Sequence, residues 1–317
     1  MLTKHANFTF MTKVLVATEK PFAKEAVDGI VKIIEKAGFT PVLLESYSGK
    51  QPLLDAVVDV DAIIIRSDII DKEVIDAAKQ LKIVVRAGAG YDNIDLAACT
   101  ARGIVAMNTP GQNANAVAEL VFGMMVFFAR VGFNGKSGTE LRGKTLGIHA
   151  YGNIGKLVAK IAKGFGMKVY AFDPYVSHSV IEADGVVSLA TVEELYSMCQ
   201  YVSLHIPATE KTIKSINYTL LSKMPKGAVL VNTARKEVIH EDDLLKIFSE
   251  RSDFSYLADV QPSKVAEFEQ NYKGRFFFTP KKIGAQTEEA NINAGLAAAK
   301  QIVGFITNGD TTFQVNK

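Results

Sequence analysis

The segment Thr145-Leu-Gly-Ile-His-Ala-Tyr-Gly-Asn-Ile-Gly-Lys156 constrains the chain more than any other stretch. It reads as a strand, a tight turn and the start of a helix, set on the pattern Gly-x-Gly-x-x-Gly as Ala150-x-Gly152-x-x-Gly155. Such a turn feeds a helix that crosses back over a sheet, so it demands parallel strands. Gly152 lets a ligand approach the backbone, and Gly155 lets the helix pack closely on the strand. The free N–H groups at the helix start, over Tyr151, Gly152, Asn153, Ile154 and Gly155, suit a pyrophosphate. A second strand, 169–172, runs into Asp173, eighteen residues after Gly155. A carboxylate there accepts hydrogen bonds from a ribose 2′-OH and repels a 2′-phosphate, which favours NAD over NADP. Alanine at 150 weakens the pattern; the strand, helix and spaced Asp173 support it.

A chain of 317 residues suits two α/β domains. Strand-like runs at 14–17, 42–44, 62–65, 83–85 and 104–107 alternate with helical stretches, among them 23–37, stopped by Gly38, and 72–81. A long apolar helix follows over 113–130, to be buried within the monomer or against a second subunit, and Gly132, Gly135 and Gly138 then mark a crossover. Strand-like runs resume at 144–149, 169–172, 201–205, 229–232, 256–260 and 276–279, and an alanine-rich helix, 288–307, closes the sequence. The fold class expected is α/β, with two Rossmann/flavodoxin-like doubly wound parallel sheets. Residues 1–108 plus 287–317 would form a substrate-binding domain and 109–286 a nucleotide-binding one.

Lys plus Arg is 36 and Asp plus Glu 34, so there is no broad pull toward nucleic acid or membrane, and a bound anion needs a local cluster of cations. Cys99 and Cys199 show no metal-ligand or CxxC spacing and read as buried thiols of a reducing compartment. Residues 1–10 lack an apolar core of signal-peptide length, and Met11 stands directly before the first strand pattern. The most apolar stretch, 120–129, is too short to cross a bilayer. A cytoplasmic protein with no metal and no membrane partner is expected.

Several stretches resemble the D-2-hydroxyacid dehydrogenases: Val85-Arg-Ala-Gly-Ala-Gly-Tyr-Asp-Asn-Ile-Asp95, Asn108-Thr-Pro-Gly-Gln-Asn-Ala-Asn-Ala-Val-Ala-Glu119, the turn with Asp173, Leu204-His-Ile-Pro207, Val231-Asn-Thr-Ala-Arg235 and Thr279-Pro-Lys-Lys-Ile-Gly-Ala-Gln-Thr287. Arg66-Ser67 after a buried strand is similar to the phosphoglycerate dehydrogenase branch, where an arginine meets the substrate phosphate. The resemblance implies NAD-dependent oxidation of 3-phospho-D-glycerate to 3-phosphohydroxypyruvate, the entry to serine synthesis, by a homodimer joined through the nucleotide domain and its long helix. It implies cofactor contacts from His205, Pro207, Thr212, Thr233, Ala234, Arg235, Asp259, Gly284 and Ala285, with Asn113, Arg66, Ser67 and the turn Gly88-Ala89-Gly90 on the substrate. The sequence ending at Lys317 resembles the short form, without a C-terminal regulatory domain, for which serine feedback is not expected.

The reaction needs a cation for the carboxylate and C2 oxygen, and a proton carrier. Arg235, which can pair with a carboxylate in a bidentate way, fits the first need. The family usually supplies the second with a histidine after Thr-Pro, paired with a glutamate. Here the five histidines are 5, 149, 178, 205 and 240; Lys281 and Lys282 stand in the histidine's place and Lys264 in the glutamate's. We expect a lysine to act, its pKa lowered by burial, by Arg235 and by Lys264. Lys282 precedes Ile283-Gly284-Ala285 as the histidine would and is preferred; Lys281 is the fallback. The alternatives are the same chemistry on hydroxypyruvate or glyoxylate, and an NAD-binding sensor or scaffold without turnover.

Overall fold

The structure, a computed structural model, describes residues 11–317; the expectation about residues 1–10 lies outside them. The chain divides into two compact units, one of residues up to Asn113 together with Thr287–Lys317, the other Ala114–Gln286.

The first unit holds five parallel strands, β1 (Lys13–Thr18), β2 (Thr40–Glu45), β3 (Ala62–Ile65), β4 (Ile83–Arg86) and β5 (Val105–Asn108), in the order β2-β1-β3-β4-β5. The runs rich in Val and Ile give the central strands, which are apolar on both faces because helices cover both. Ala62, Ile63, Ile64 and Ile65 are all fully buried, split between two clusters on opposite sides of the sheet. Order reverses at β1, so the loops after β1 and β3 flank a topological switch point, where open α/β sheets bind ligands.

Helix Glu288–Asn308 joins this unit by packing on helix Lys24–Lys36. Glycines let the two approach: a Cβ on Gly29 would lie 2.5 Å from Leu296 Cδ2, and one on Gly295 2.8 Å from Ile30 Cδ1. Thr287 caps the helix by accepting the Ala290 N–H.

The second unit holds seven parallel strands, β6 (Thr145–His149), β7 (Lys168–Phe172), β8 (Val187–Ser188), β9 (Tyr201–Leu204), β10 (Val229–Asn232), β11 (Ser255–Ala258) and β12 (Phe276–Phe278). Their order, β12-β11-β10-β9-β6-β7-β8, puts the switch point between β6 and β9. Helix Ala114–Ala129 turns Val121, Phe122, Met124 and Met125 into the core of this unit, which accounts for its apolar sequence.

Three expectations differ from what is observed. The first crossing between units falls at 113/114 rather than after 108. Thr109 donates its N–H to Gly88 O and Asn108 its side-chain N–H to Ala89 O, which keeps this turn with the first sheet. The segment of Gly132, Gly135 and Gly138 lies inside the second unit and is not a crossover. A Cβ on Gly138 would lie 2.2 Å from Ala129 O, so that glycine serves a close return against the helix end. The helix foreseen over 72–81 is Lys72–Ala77, because Ala78 turns extended at ψ 94°.

Candidate active site

The carboxyl ends of the second unit's strands carry most of the expected site residues. Helix Asn153–Gly164 starts at Gly152 with no side-chain cap, leaving its first N–H groups available to an anion. A Cβ on Gly152 would meet open space, whereas one on Gly155 would lie 2.4 Å from Ala150 O. The first glycine therefore leaves a cradle and the second lets helix and turn touch. Asp173 closes the turn: its carboxylate accepts the N–H of Tyr151 at 2.8 Å and that of Tyr175 at 2.8 Å. The Tyr151 side chain points away, buried, with its hydroxyl donated to Asp184 at 3.0 Å. Cradle, uncapped helix end and fixed carboxylate fit a dinucleotide carrying a free 2′-OH.

Ala150, where the pattern has glycine, holds φ at +83°. This left-handed conformation costs an L-residue about 1–2 kcal/mol. Ala150→Gly is expected to raise stability by about 0.5–1 kcal/mol after the added chain entropy is counted. A higher urea midpoint at unchanged slope would register it, and an unchanged or lower midpoint would contradict it.

Arg235 follows β10 and is half-buried. Asn232 shapes its loop: the side-chain amide donates to Arg235 O at 3.1 Å and to the Tyr256 hydroxyl at 3.2 Å, and its oxygen accepts the Ala234 N–H at 2.9 Å. Arg235 Nη1 donates to Ala234 O at 3.2 Å, and Lys282 Nζ donates to the same oxygen at 3.1 Å. Two cations 47 residues apart in sequence thus meet at one carbonyl. Lys281 and Lys282 are both exposed, so the burial expected of the acid/base lysine is not found, and Lys281 lacks the Ala234 contact. Lys264 pairs instead with Asp242 and, at 4.0 Å, with Glu267, which raises its pKa. Its charge is answered on the surface, so the expected part of Lys264 in tuning the acid/base finds no support in the geometry.

Asp259, after β11, is fully buried. Its carboxylate accepts the Thr279 hydroxyl at 3.0 Å and the N–H groups of Ile283 at 2.9 Å and Gly284 at 2.8 Å. It ties down the loop that carries Lys282 and Ala285. A Cβ on Gly284 would lie 2.7 Å from that carboxylate, so the loop needs glycine there.

The loop after β9 supplies less than expected. His205 brings Nε2 to 3.0 Å of Ser203 Oγ, and its buried Nδ1 has no partner among the described residues. Burial, with His149 beside it, pushes its pKa down to about 3; burial pushes His149 down to about 4 against the pull of Asp173. Burial thus disfavours the charged form of both rings. Thr212 turns its hydroxyl back onto Pro207 O and accepts the Thr209 N–H, so it shapes the turn. Thr233 keeps a buried hydroxyl without a partner among the described residues.

In the first unit, Arg66 stands directly after β3 and is half-buried, with Ser67 exposed beside it. Its Nη1 donates to Lys20 O at 3.1 Å and Pro21 O at 2.9 Å, and its Nη2 to the Asn291 side chain at 2.7 Å. In the turn 88–90, Gly88 spends its N–H on Arg86 O, while those of Ala89 and Gly90 donate to nothing among the described residues. A Cβ on Gly88, at φ +148°, would lie 1.5 Å from Arg86 Nη1, so the guanidinium lies against a bare backbone. Asn113, half-buried, closes this unit. Asn232 and Asp68 are not among the site residues expected from the sequence, although both stand within three residues of a candidate arginine.

Sheet order, turn and fixed carboxylate define an α/β protein of the dinucleotide-binding type. Residues 126–273 match the family described as D-isomer specific 2-hydroxyacid dehydrogenase, NAD binding domain. The chain is 35% identical over 310 residues to the hydroxypyruvate reductase of Thermotoga maritima, covering 92% of itself and 98% of that protein. It is also 35% identical over 311 residues to the D-3-phosphoglycerate dehydrogenase of Methanocaldococcus jannaschii, covering 92% of itself and 57% of that relative. The chain spans little more than half the length of several curated relatives. The crystal structure of NAD+-bound 3-phosphoglycerate dehydrogenase from Entamoeba histolytica is similar at a TM-score of 0.86, with 51% identity, 97% of this chain and 99% of that chain covered. The chain belongs to the D-2-hydroxyacid dehydrogenase family.

Proposed function

We propose that the chain oxidises 3-phospho-D-glycerate to 3-phosphohydroxypyruvate with NAD. The observation that carries the chemistry is the meeting of Arg235 and Lys282 at the Ala234 carbonyl. NAD, when bound at the cradle of Gly152, supplies the acceptor for the C2 hydride. Arg235 pairs with the substrate carboxylate and polarises the C2 oxygen. Lys282 takes the hydroxyl proton as the hydride leaves C2, and returns it in reduction. Arg66 holds the phosphate. It has five N–H groups and uses three on its own unit, which leaves Nε–H and one Nη2–H for an anion.

The test follows NADH at 340 nm with 3-phosphoglycerate, D-glycerate and D-lactate in parallel. Turnover is expected with the phosphorylated acid, and Arg66→Gln should raise its KM about tenfold or more, the weight of a charged hydrogen bond. Turnover of D-glycerate alone, or indifference to Arg66→Gln, would overturn the phosphate assignment. The second reading, reduction of hydroxypyruvate, is favoured by the Thermotoga relative, which matches over nearly its whole length. We further infer a cytoplasmic homodimer. Two unpaired buried cysteines support a reducing compartment, and Val131 and Phe133, 41% and 64% exposed past the apolar helix, support a partner there.

A further inference from the structure

Asp68 is a buried carboxylate to which the catalytic reading assigns nothing. It is 3% exposed and lies two residues past Arg66, in the loop after β3 beside the switch point of the first sheet. Its Oδ1 accepts the Glu19 N–H at 2.7 Å and the Tyr47 hydroxyl at 2.7 Å, and its Oδ2 accepts the Arg66 N–H at 3.1 Å. The Asp68 carbonyl accepts the Asn93 side-chain N–H at 2.6 Å. Three separate loops, after β1, β2 and β3, are therefore tied to one side chain.

The same loops hold the arginine. Residues 19–22 are fastened at Glu19 by Asp68. They in turn receive the Arg66 guanidinium, through the carbonyls of Lys20 and Pro21 and over the ring of Phe22 at 5.1 Å. Asp68 thus fixes both ends of Arg66: its backbone directly, and its guanidinium through the loop that seats it. A guanidinium placed by its neighbours loses little freedom on meeting an anion, and that preorganisation is what a selective site needs.

We infer that Asp68, with Tyr47, is a positioning pair that sets the guanidinium of Arg66 and thereby the preference for phosphorylated over unphosphorylated acids. The inference rests on the reading of Arg66 as the phosphate ligand. Asparagine at 68 offers one acceptor oxygen where the carboxylate uses two, so at least one of the three donors loses its partner. Phenylalanine at 47 removes the hydroxyl and leaves Asp68 in place.

The experiment measures kcat/KM for 3-phosphohydroxypyruvate and for hydroxypyruvate with NADH, in the wild type, Asp68→Asn, Tyr47→Phe, Arg66→Gln and the double variant Asp68→Asn/Arg66→Gln. The ratio of the two values is expected to fall about tenfold in Asp68→Asn and severalfold in Tyr47→Phe, the weight of bonds to a charged group. In the Arg66→Gln background Asp68→Asn should lower the ratio no further, because its effect runs through that arginine. A loss shared equally by both acids would mark a merely structural role and overturn the inference, and so would additive effects. Tyr47→Phe carries the test if Asp68→Asn does not fold; an unchanged ratio there then sinks it. If Arg66→Gln itself leaves the ratio untouched, the phosphate reading fails. If Arg66→Gln collapses the ratio while the other two variants preserve it, only the positioning role fails.

Discussion

Lys282→Ala is expected to lower kcat about 10²–10⁴-fold, the usual worth of a positioned acid/base, while NAD still binds. The two halves of this expectation come from different places in the second unit. The proposed dinucleotide cradle, Gly152, Gly155 and Asp173, lies on the β6 and β7 side of the sheet. Lys282 follows β12 at the other edge and reaches back to Ala234 O, after β10. Lys282→Arg separates proton transfer from charge, since a guanidinium stays protonated at any working pH. It should be nearly as slow as the alanine variant. Lys281→Ala, at an exposed residue without the Ala234 contact, should keep most of the rate. NADH formation under saturating substrate, with NAD affinity measured separately by fluorescence titration, reads all three. A rate loss of less than about tenfold in both Lys282 variants would remove it from the acid/base role.

The sequence makes some of this site legible and hides the rest for identifiable reasons. Unbroken apolar runs such as Ala62-Ile-Ile-Ile65 and Val229-Leu-Val231 can sit only in a sheet covered on both faces, so the central strands are plain. The two-residue strand Val187–Ser188 is too short to carry any period, and helix Lys72–Ala77 ends on one dihedral at Ala78 that no residue preference announces. Gly155 is decipherable because only a missing Cβ allows the approach to Ala150 O. Ala150 is not, because nothing in the sequence tells that it keeps the left-handed turn that glycine would hold without strain. Lys281 and Lys282 cannot be told apart by residue type; a single shared carbonyl separates them. Lys264 stands where the family pattern has a glutamate, yet its partner Asp242 lies 22 residues away on another helix and shows only in three dimensions.

The second large effect is expected at Asp259, which sequence motifs alone assign to the cofactor but whose oxygens serve the protein. Asp259→Ala strips the acceptor from two backbone N–H groups and one hydroxyl in a fully buried place. Each orphaned donor costs about 1–3 kcal/mol, so a loss of about 3–5 kcal/mol follows after partial relaxation. That is a large part of the stability of an ordinary domain. Asp259→Asn keeps one oxygen and should lose less, because its amide can still serve Ile283 or Gly284 but not both. The activity of the asparagine variant is the sharper reading. The 279–284 loop holds Lys282, and a loop released from Asp259 places the amine over a wider range, which lowers kcat. Urea unfolding monitored by circular dichroism gives the stability, and kcat at saturating NAD gives the placement. If Asp259→Asn lost NAD affinity with kcat intact, the carboxylate would belong to the cofactor and not to the loop.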